Sequence, residues 1–269
     1  METTQKDAIC VGIVGFGNLG RAIRDNLPPD MNLVGIFSRR KVDGCIPLKD
    51  IKNHKIDVVF FCGGSDRDAP IIVPKLHRMG FNTVDSYDNH NNITNYKKSI
   101  KTKKTTAIIG AGWDPGLFSV MRIYMTAFGL TPNTSYGPGV SMGHTNALKA
   151  IPDVTDAQQI TYPNKRVCYV ITKHKKQVHG AIKTHPYFQD LPTTIKFVKK
   201  ITPSFHHAGE VATPDNQIKL TVKMQSNPTF TARIMIAYAR AIKKLDSGAF
   251  TVDEIPPSYL LDYDITYLI

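Results

Sequence analysis

Ile9-Cys10-Val11-Gly12-Ile13-Val14-Gly15-Phe16-Gly17-Asn18-Leu19-Gly20 is the stretch whose reading decides the fold. Its first six residues are an apolar run of the kind that forms a strand buried on both faces. Gly15, Gly17 and Gly20 follow at GxGxxG spacing, and a helical pattern runs over 18–27 until Pro28 and Pro29 stop it. The hexapeptide alone is a weak signal, but its place between a strand and a helix makes it specific. Gly15 permits the tight turn, Gly17 lets the backbone approach a pyrophosphate, and Gly20 allows helix and strand to pack closely. The free amides and positive dipole end of the helix then face the phosphates. A purely structural glycine turn is the competing account.

Working outward, strands are expected over 33–37, 58–62, 83–84 and 106–109, with a helix over 69–79. This is the βαβ order of a doubly wound, Rossmann-type sheet. The end of the second strand selects the dinucleotide. An acidic residue there would accept the ribose hydroxyls of NAD, whereas this chain has Ser38-Arg39-Arg40. Two guanidiniums and a hydroxyl suit a 2′-phosphate, so NADP is expected; a solvated basic turn is the alternative. Three further loops fall at carboxyl ends of strands, where such sheets bind ligands. They are Cys62-Gly63-Gly64-Ser65, then Asp85-Ser86-Tyr87-Asp88-Asn89-His90, then Gly110-Ala111-Gly112-Trp113-Asp114-Pro115-Gly116, with Cys62 to Ser65, Ser86 to Asp88 and Ala111 to Pro115 as the expected cofactor contacts. With Phe16, Asn18 and Leu19 they complete the expected cofactor surface.

Beyond Pro115 the rhythm changes. Strands are expected over 166–171, 194–198 and 218–224, paired antiparallel, and a helix over 229–245. In the last strand Ile218, Leu220, Val222 and Met224 alternate onto one face. The fold class is therefore α/β: a Rossmann-type dinucleotide-binding domain, followed beyond Pro115 by an α+β region with a mainly antiparallel sheet.

The 269 residues include 42% hydrophobic and 21% charged side chains, an ordinary globular balance that excludes large-scale disorder. No apolar run is long enough to span a bilayer, and the polar opening over 1–8 carries no export signal. Cys10, Cys45, Cys62 and Cys168 show no metal-site spacing, and Cys10 and Cys62 fall in strands as buried thiols. A reducing cytoplasm, no metal and no membrane partner are expected. A net charge of +12 raises nucleic-acid binding. The lysines are scattered and no stacking aromatics are interleaved with them, so a solvated surface that also steers anionic ligands is the preferred reading.

Several motifs together carry a family resemblance. They are Gly15-Phe16-Gly17-Asn18-Leu19-Gly20, Val34-Gly35-Ile36-Phe37-Ser38-Arg39-Arg40, Tyr87-Asp88-Asn89-His90 and Gly112-Trp113-Asp114-Pro115-Gly116. Gly137-Pro138-Gly139-Val140-Ser141-Met142-Gly143-His144, Asn227-Pro228-Thr229-Phe230-Thr231 and Ser247-Gly248-Ala249-Phe250-Thr251-Val252 complete the set. In this order they span nearly the whole chain, which resembles meso-diaminopimelate D-dehydrogenase.

The resemblance implies NADP-dependent, reversible oxidative deamination of the D-centre of meso-2,6-diaminopimelate, in bacterial lysine and cell-wall precursor synthesis. The product, L-2-amino-6-oxopimelate, cyclises to tetrahydrodipicolinate. It implies a homodimer and a C-terminal helix that returns to the dinucleotide domain, so that residues 1–114 and 228–269 would form that domain and 115–227 an α+β substrate-binding and dimerisation domain with a mainly antiparallel sheet. Carried over by motif, Asp88 and Asp114 are the catalytic carboxylates that orient the amino group, with Trp113 beside them. Thr161, Arg166, His207 and Asn227 would clamp the distal carboxylate, and Tyr136, Ser141, Met142 and Gly143 would line the pocket; Asn227 would also touch the cofactor. Asp114 as a simple turn residue, Trp113 as core and His207 as a structural histidine are the bland alternatives.

The chain departs from the family pattern at three places. It lacks a long insertion between the threonine- and arginine-bearing segments, and has Tyr136 for tryptophan and Met142 for glutamine. The last two changes touch the implied substrate pocket, where a wider or shifted specificity is expected. A relative acting on simpler D-amino acids or amines, and a non-catalytic NADP-binding sensor, are the competing functions.

Overall fold

The computed structural model describes residues 8–65, 67–204, 206–263 and 265–268. Most of the polar opening, on which the expectation about export rests, lies outside the described residues. The chain divides into two compact units, Met1–Tyr124 with Pro228–Ile269, and Met125–Asn227.

The first unit is built on one parallel sheet. Its elements run β1 (Ile9–Val14), α1 (Asn18–Asp25), β2 (Met31–Ser38), β3 (Ile46–Pro47), β4 (Val58–Phe61), α2 (Ala69–Arg78) and β5 (Asn82–Asp85). Then follow α3 (Ile93–Ser99), β6 (Thr106–Ile109) and α4 (Leu117–Ala127), the helix inside which the two units divide. The strand order is β3-β2-β1-β4-β5-β6, with one more strand from the C-terminal segment beside β6. Every pairing in this sheet is parallel. Both faces of β1 are covered: Val11 and Ile13 belong to one apolar cluster, Val14 to another with Val59, Phe61 and Tyr96. Fully burying each such side chain contributes about 1.5–3 kcal/mol, which is why an uninterrupted apolar run belongs at the sheet centre. Between β1 and β4 the strand order reverses, and the ligand crevice of such sheets opens there.

Several boundaries are tighter than the sequence pattern predicts. Helix α1 stops at Asp25 and not at 27, because Asn26 turns its amide back onto the Ala22 carbonyl at 2.8 Å and Leu27 precedes a proline. Cys10 and Cys62 are half-buried, not buried; Cys62 already lies past the end of β4. His77 on α2 is buried between the hydroxyls of Thr105 and Thr83, both at 2.8 Å. Burial pushes its pKa down to about 4.

The second unit contains β7 (Asn133–Tyr136), β8 (Gly139–Val140), α5 (Met142–Lys149), β9 (Asp156–Tyr162), β10 (Lys165–Ile171), α6 (Lys175–Thr184), β11 (Thr193–Phe197), β12 (His207–Ala212) and β13 (Lys219–Met224). They form two sheets, β11-β10-β9-β8 and β13-β12-β7. Pairing is mainly antiparallel, as expected, but β10 and β11 run parallel. The ten-residue α6 between them makes a crossover, which returns the chain in the same direction. Leu148, Cys168, Val170, Val178 and Ile182 form the core beneath this sheet. On β13, Val222 and Met224 are buried and Lys219, Thr221 and Lys223 exposed, the alternation read in the sequence.

The chain then re-enters the first unit with α7 (Asn227–Ala241) and β14 (Gly248–Thr251), which pairs with β6. The expected helix over 229–245 is α7 followed by a 3₁₀ turn, Ile242–Lys244. Among the described residues no helix is long and apolar enough to cross a membrane.

Candidate active site

The glycine turn has the geometry its spacing predicts. Gly15 has φ +101°, and a Cβ there would meet the Cys62 carbonyl at 3.1 Å. Its amide donates to Phe37 at 2.9 Å, while Cys62 donates to Val14 at 2.8 Å, so the ends of β1, β2 and β4 are laced together. A Cβ on Gly20 would lie 2.1 Å from the Gly15 carbonyl oxygen, whereas one on Gly17 would meet nothing within 4 Å. Two glycines are therefore demanded by the protein's own packing, and the third leaves an open face at the N-terminus of α1. That open face, with helix amides behind it, fits a pyrophosphate. Phe16, half-buried, lies against the guanidiniums of Arg21 and Arg24 at 4.5 and 5.1 Å. Asn18 is exposed and Leu19 half-buried in the first turn.

At the end of β2, the Ser38 hydroxyl accepts from the Arg40 amide at 3.1 Å. Arg40 is exposed, and Arg39 pairs with Asp68. Asp68 also accepts from the Gly64 amide at 3.2 Å, so one carboxylate joins Arg39 to the Gly63-Gly64 loop. Ser65 reaches the other way: its hydroxyl accepts from the Asp88 amide at 3.2 Å.

Asp85, at the end of β5, organises the next two loops. It is 1% exposed and accepts from Tyr96 Oη at 2.6 Å and from the amides of Tyr87 at 3.0 Å and Gly110 at 3.2 Å. Its own carbonyl takes the Ala111 amide at 2.7 Å. Burial pushes its pKa up to about 6 against the opposing pull of these donors. Tyr87 stacks on Tyr96 with ring centroids 4.1 Å apart. Ser86 is half-buried and Asp88 exposed at the tip of the loop.

The Gly112–Gly116 loop closes on itself: a Cβ on Gly116, at φ +133°, would fall 1.7 Å from the Gly112 oxygen. The Asp114–Pro115 bond is cis. Trp113 is 8% exposed and stands edge-on to Phe118 at 5.1 Å, so its ring is packed as core. Asp114 points both oxygens at Arg122. Asp88, Trp113 and Asp114 thus come from neighbouring strand ends of one sheet.

The remaining candidates belong to the second unit, with Asn227 its last residue, where α7 begins. Thr161 on β9 and Arg166 on β10 are direct cross-strand partners. Gln159 exchanges hydrogen bonds with the Thr161 hydroxyl at 3.1 and 3.3 Å. Arg166 is 1% exposed and is bound by the Tyr187 carbonyl and Asp190. His207 begins β12 and is 7% exposed. Burial, with His206 adding to it, lowers its pKa to about 4, leaving a neutral imidazole near neutral pH. Gly139 passes so close that a Cβ would stand 2.3 Å from His207 Cα. Tyr136 is an exposed end of β7, and Ser141 caps α5 with its hydroxyl 2.8 Å from His144 Nδ1. Met142 is half-buried and Gly143 exposed at the start of α5, and Asn227 is half-buried. Among the described residues no cluster of metal-ligating side chains occurs.

Arg122, Asp68 and Asp190 are partners that motif reading missed, and Asp85 enters that reading only as the start of a strand-end loop, not as its organising carboxylate. Only Arg122 had a local signal, as a cation two helical turns beyond Asp114, outside the usual i+3 or i+4 window.

The parallel sheet, the open glycine turn and the basic end of β2 define an NADP-dependent oxidoreductase of the Rossmann type. A sequence profile for the diaminopimelic acid dehydrogenase C-terminal domain matches residues 112–167. The meso-diaminopimelate D-dehydrogenase of Acetivibrio thermocellus is 36% identical with 94% of each chain covered. That of Corynebacterium glutamicum is 35% identical over 94% of this chain and 95% of its own. The chain belongs to the meso-diaminopimelate D-dehydrogenase family. Among solved structures, the C. glutamicum enzyme in complex with DAP has a TM-score of 0.88 at 33% identity, covering 98% of both chains. An engineered D-amino acid dehydrogenase bound to NADP+ has a TM-score of 0.83 at 32% identity, covering 97% of this chain and 98% of its own.

Proposed function

We propose that this protein carries out the NADP-dependent, reversible oxidative deamination of meso-2,6-diaminopimelate at its D-centre, giving L-2-amino-6-oxopimelate. The observation that carries this reading is the end-to-end match to curated enzymes of that activity, 94% of the chain at up to 36% identity. Gly15, Gly17, Gly20, Ser38, Arg39, Arg40 and the loops over 62–65, 86–88 and 111–115 would hold the dinucleotide. Bound there, NADP+ supplies the hydride acceptor.

The chain's own side chains have three tasks. Asp88 and Asp114 hold the reacting ammonium, and a pair of carboxylates favours an amine over a hydroxy acid. Asp88, exposed at its loop tip, is placed to pass the amine's proton to water. Arg166, Thr161, neutral His207 and Asn227 take the distal carboxylate. Loss of hydride and proton leaves an imine, which water hydrolyses with release of ammonia.

A second reading, activity on simpler D-amino acids, is supported by Met142 at the start of α5 and by the similarity to the engineered D-amino acid dehydrogenase. We further propose a cytoplasmic homodimer. In the first unit an apolar cavity of about 670 Å³, lined by Leu117, Val120, Ile123, Tyr124 and Ile234 among others, supports a self-association surface. The deciding experiment follows NADPH formation with meso-, LL- and DD-diaminopimelate and a panel of D-amino acids. Selective oxidation of the meso isomer is the expected result; equal rates on neutral D-amino acids would favour the second reading. Light scattering after gel filtration reads the dimer.

A further inference from the structure

Arg166 is the bulkiest of the fully buried side chains, yet its guanidinium is not saturated. Nη1 donates to the Tyr187 carbonyl, and Nη2 reaches both oxygens of Asp190 at 2.8 and 2.9 Å. Nε is buried and has no acceptor among the described residues. A carboxylate that grips a guanidinium with two parallel bonds can use the Nε and Nη2 edge together. Asp190 takes Nη2 alone, so it is an incomplete occupant of that edge and leaves a buried donor unmet.

The two partners also differ in exposure. The Arg166 side chain is 2% exposed and that of Asp190 66%. Asp190 lies on the connection between the 3₁₀ turn Pro186–Phe188 and β11. Leaving Arg166, it returns to water at little cost; Arg166 cannot do the same and needs another anion in its place.

We propose that Asp190 is an internal carboxylate that occupies Arg166 until the distal carboxylate of a ligand displaces it, which makes Asp190 a specificity-determining residue. This rests on the proposed function above. The exchange conserves charge, since one carboxylate leaves as another arrives. Ligands with a second carboxylate, able to bridge Nε and Nη2, open the pair; ligands without one leave it closed. His144, which packs on Tyr187 and Phe188, has its proton affinity lowered by burial first and by the Arg166 charge second, with Asp190 acting in the opposite sense.

The test compares the unmodified protein with Asp190→Asn, Asp190→Ser, Arg166→Met and the Arg166→Met/Asp190→Asn double variant. A closed pair reduces apparent affinity by the fraction of molecules in which Arg166 is available, so either Asp190 variant should lower KM for meso-diaminopimelate about threefold to tenfold. Calorimetric binding of pimelate, a dicarboxylate with no amine, should tighten in parallel, and KM for D-alanine should stay within about twofold. In the Arg166→Met background the Asp190 change should have no effect. A KM or pimelate affinity that is unchanged or worsens, including no pimelate binding by any of the proteins, overturns the proposal. Failure of the unmodified protein to oxidise meso-diaminopimelate would overturn the functional reading instead, and the pimelate titrations would still read the exchange.

Discussion

Arg122 holds both carboxylate oxygens of Asp114, Nη1 donating to Oδ2 at 3.1 Å and Nη2 to Oδ1 at 2.5 Å. The guanidinium is steadied in turn by the Ser119 hydroxyl at 3.1 Å, which also accepts the Gly116 amide at 3.3 Å. The Asp114 side chain is 2% exposed and that of Arg122 27%. Asp114 is therefore set by the first turns of α4 as well as by its own loop, whereas Asp88 stands exposed on its loop. One carboxylate is anchored, and the other faces water.

Arg122→Met should accordingly lower kcat on meso-diaminopimelate about tenfold or more, because a mispositioned group away from the chemistry can cost that much or more. Arg122→Lys should restore part of the loss, since a point charge replaces the fork. Removing one partner of a buried pair costs about 3–5 kcal/mol; with Arg122 partly exposed, solvent reduces this to about 2 kcal/mol. Steady-state kinetics and urea unfolding read both effects, and normal kcat in the methionine variant would end the anchoring role.

The two helix-start glycines should separate stability from cofactor binding. Gly20→Ala drives a methyl group to 2.1 Å from the Gly15 oxygen. Overpacking of about 1–3 kcal/mol should lower Tm by several degrees and disrupt the turn. Gly17 has φ −83° and open space beyond it, so Gly17→Ala should keep its Tm. Its methyl group would occupy the pyrophosphate approach, and NADP+ affinity should fall about tenfold. Equal melting temperatures for the two variants would contradict this division.

Arg39 and Arg40 should contribute unequally to NADP+ binding. Arg39 already faces Asp68, while Arg40 is exposed and its amide is fixed by Ser38. A charge-assisted bond is worth about 1.5–3 kcal/mol, so Arg40→Ala should weaken NADP+ about tenfold or more. Arg39→Ala should cost less, and NAD+ should be little affected by either. Fluorescence titration of both dinucleotides checks the order.

Stability should depend on acid through His77. Its folded pKa of about 4 lies below the ordinary imidazole value of 6.5. The unfolded chain therefore binds the proton more readily, and the stability present above pH 6.5 is lost as pH falls from there towards 4. The loss approaches about 3 kcal/mol by pH 4. Asp85, raised to about 6, acts in the opposite sense between 3.8 and 6. That contribution is common to both proteins when the unmodified chain is compared with His77→Gln. Denaturation across pH 7 to 4 should show the variant losing less stability; parallel curves would remove His77 as the cause.

Some of this protein was determined by contiguous sequence. A strand buried on both faces, a glycine turn and a helix start are short-range events, so Ile9–Val14 and Gly15, Gly17 and Gly20 could be read where they stand. So could Ser38-Arg39-Arg40, because a strand end places consecutive residues together. The alternation along β13 follows from a two-residue period and also needed no partner. What the sequence could not show was which distant groups meet. The parallel pairing of β10 with β11 depends on the route of α6, and no property of either strand reveals it. Asp68 reaches Arg39 across 29 positions and Asp190 reaches Arg166 across 24. Asp85 gathers donors from two loops that share no motif. Only the folded chain brings these charges and donors within hydrogen-bond range, and burial there decides which carboxylates are anchored and which remain open to a ligand.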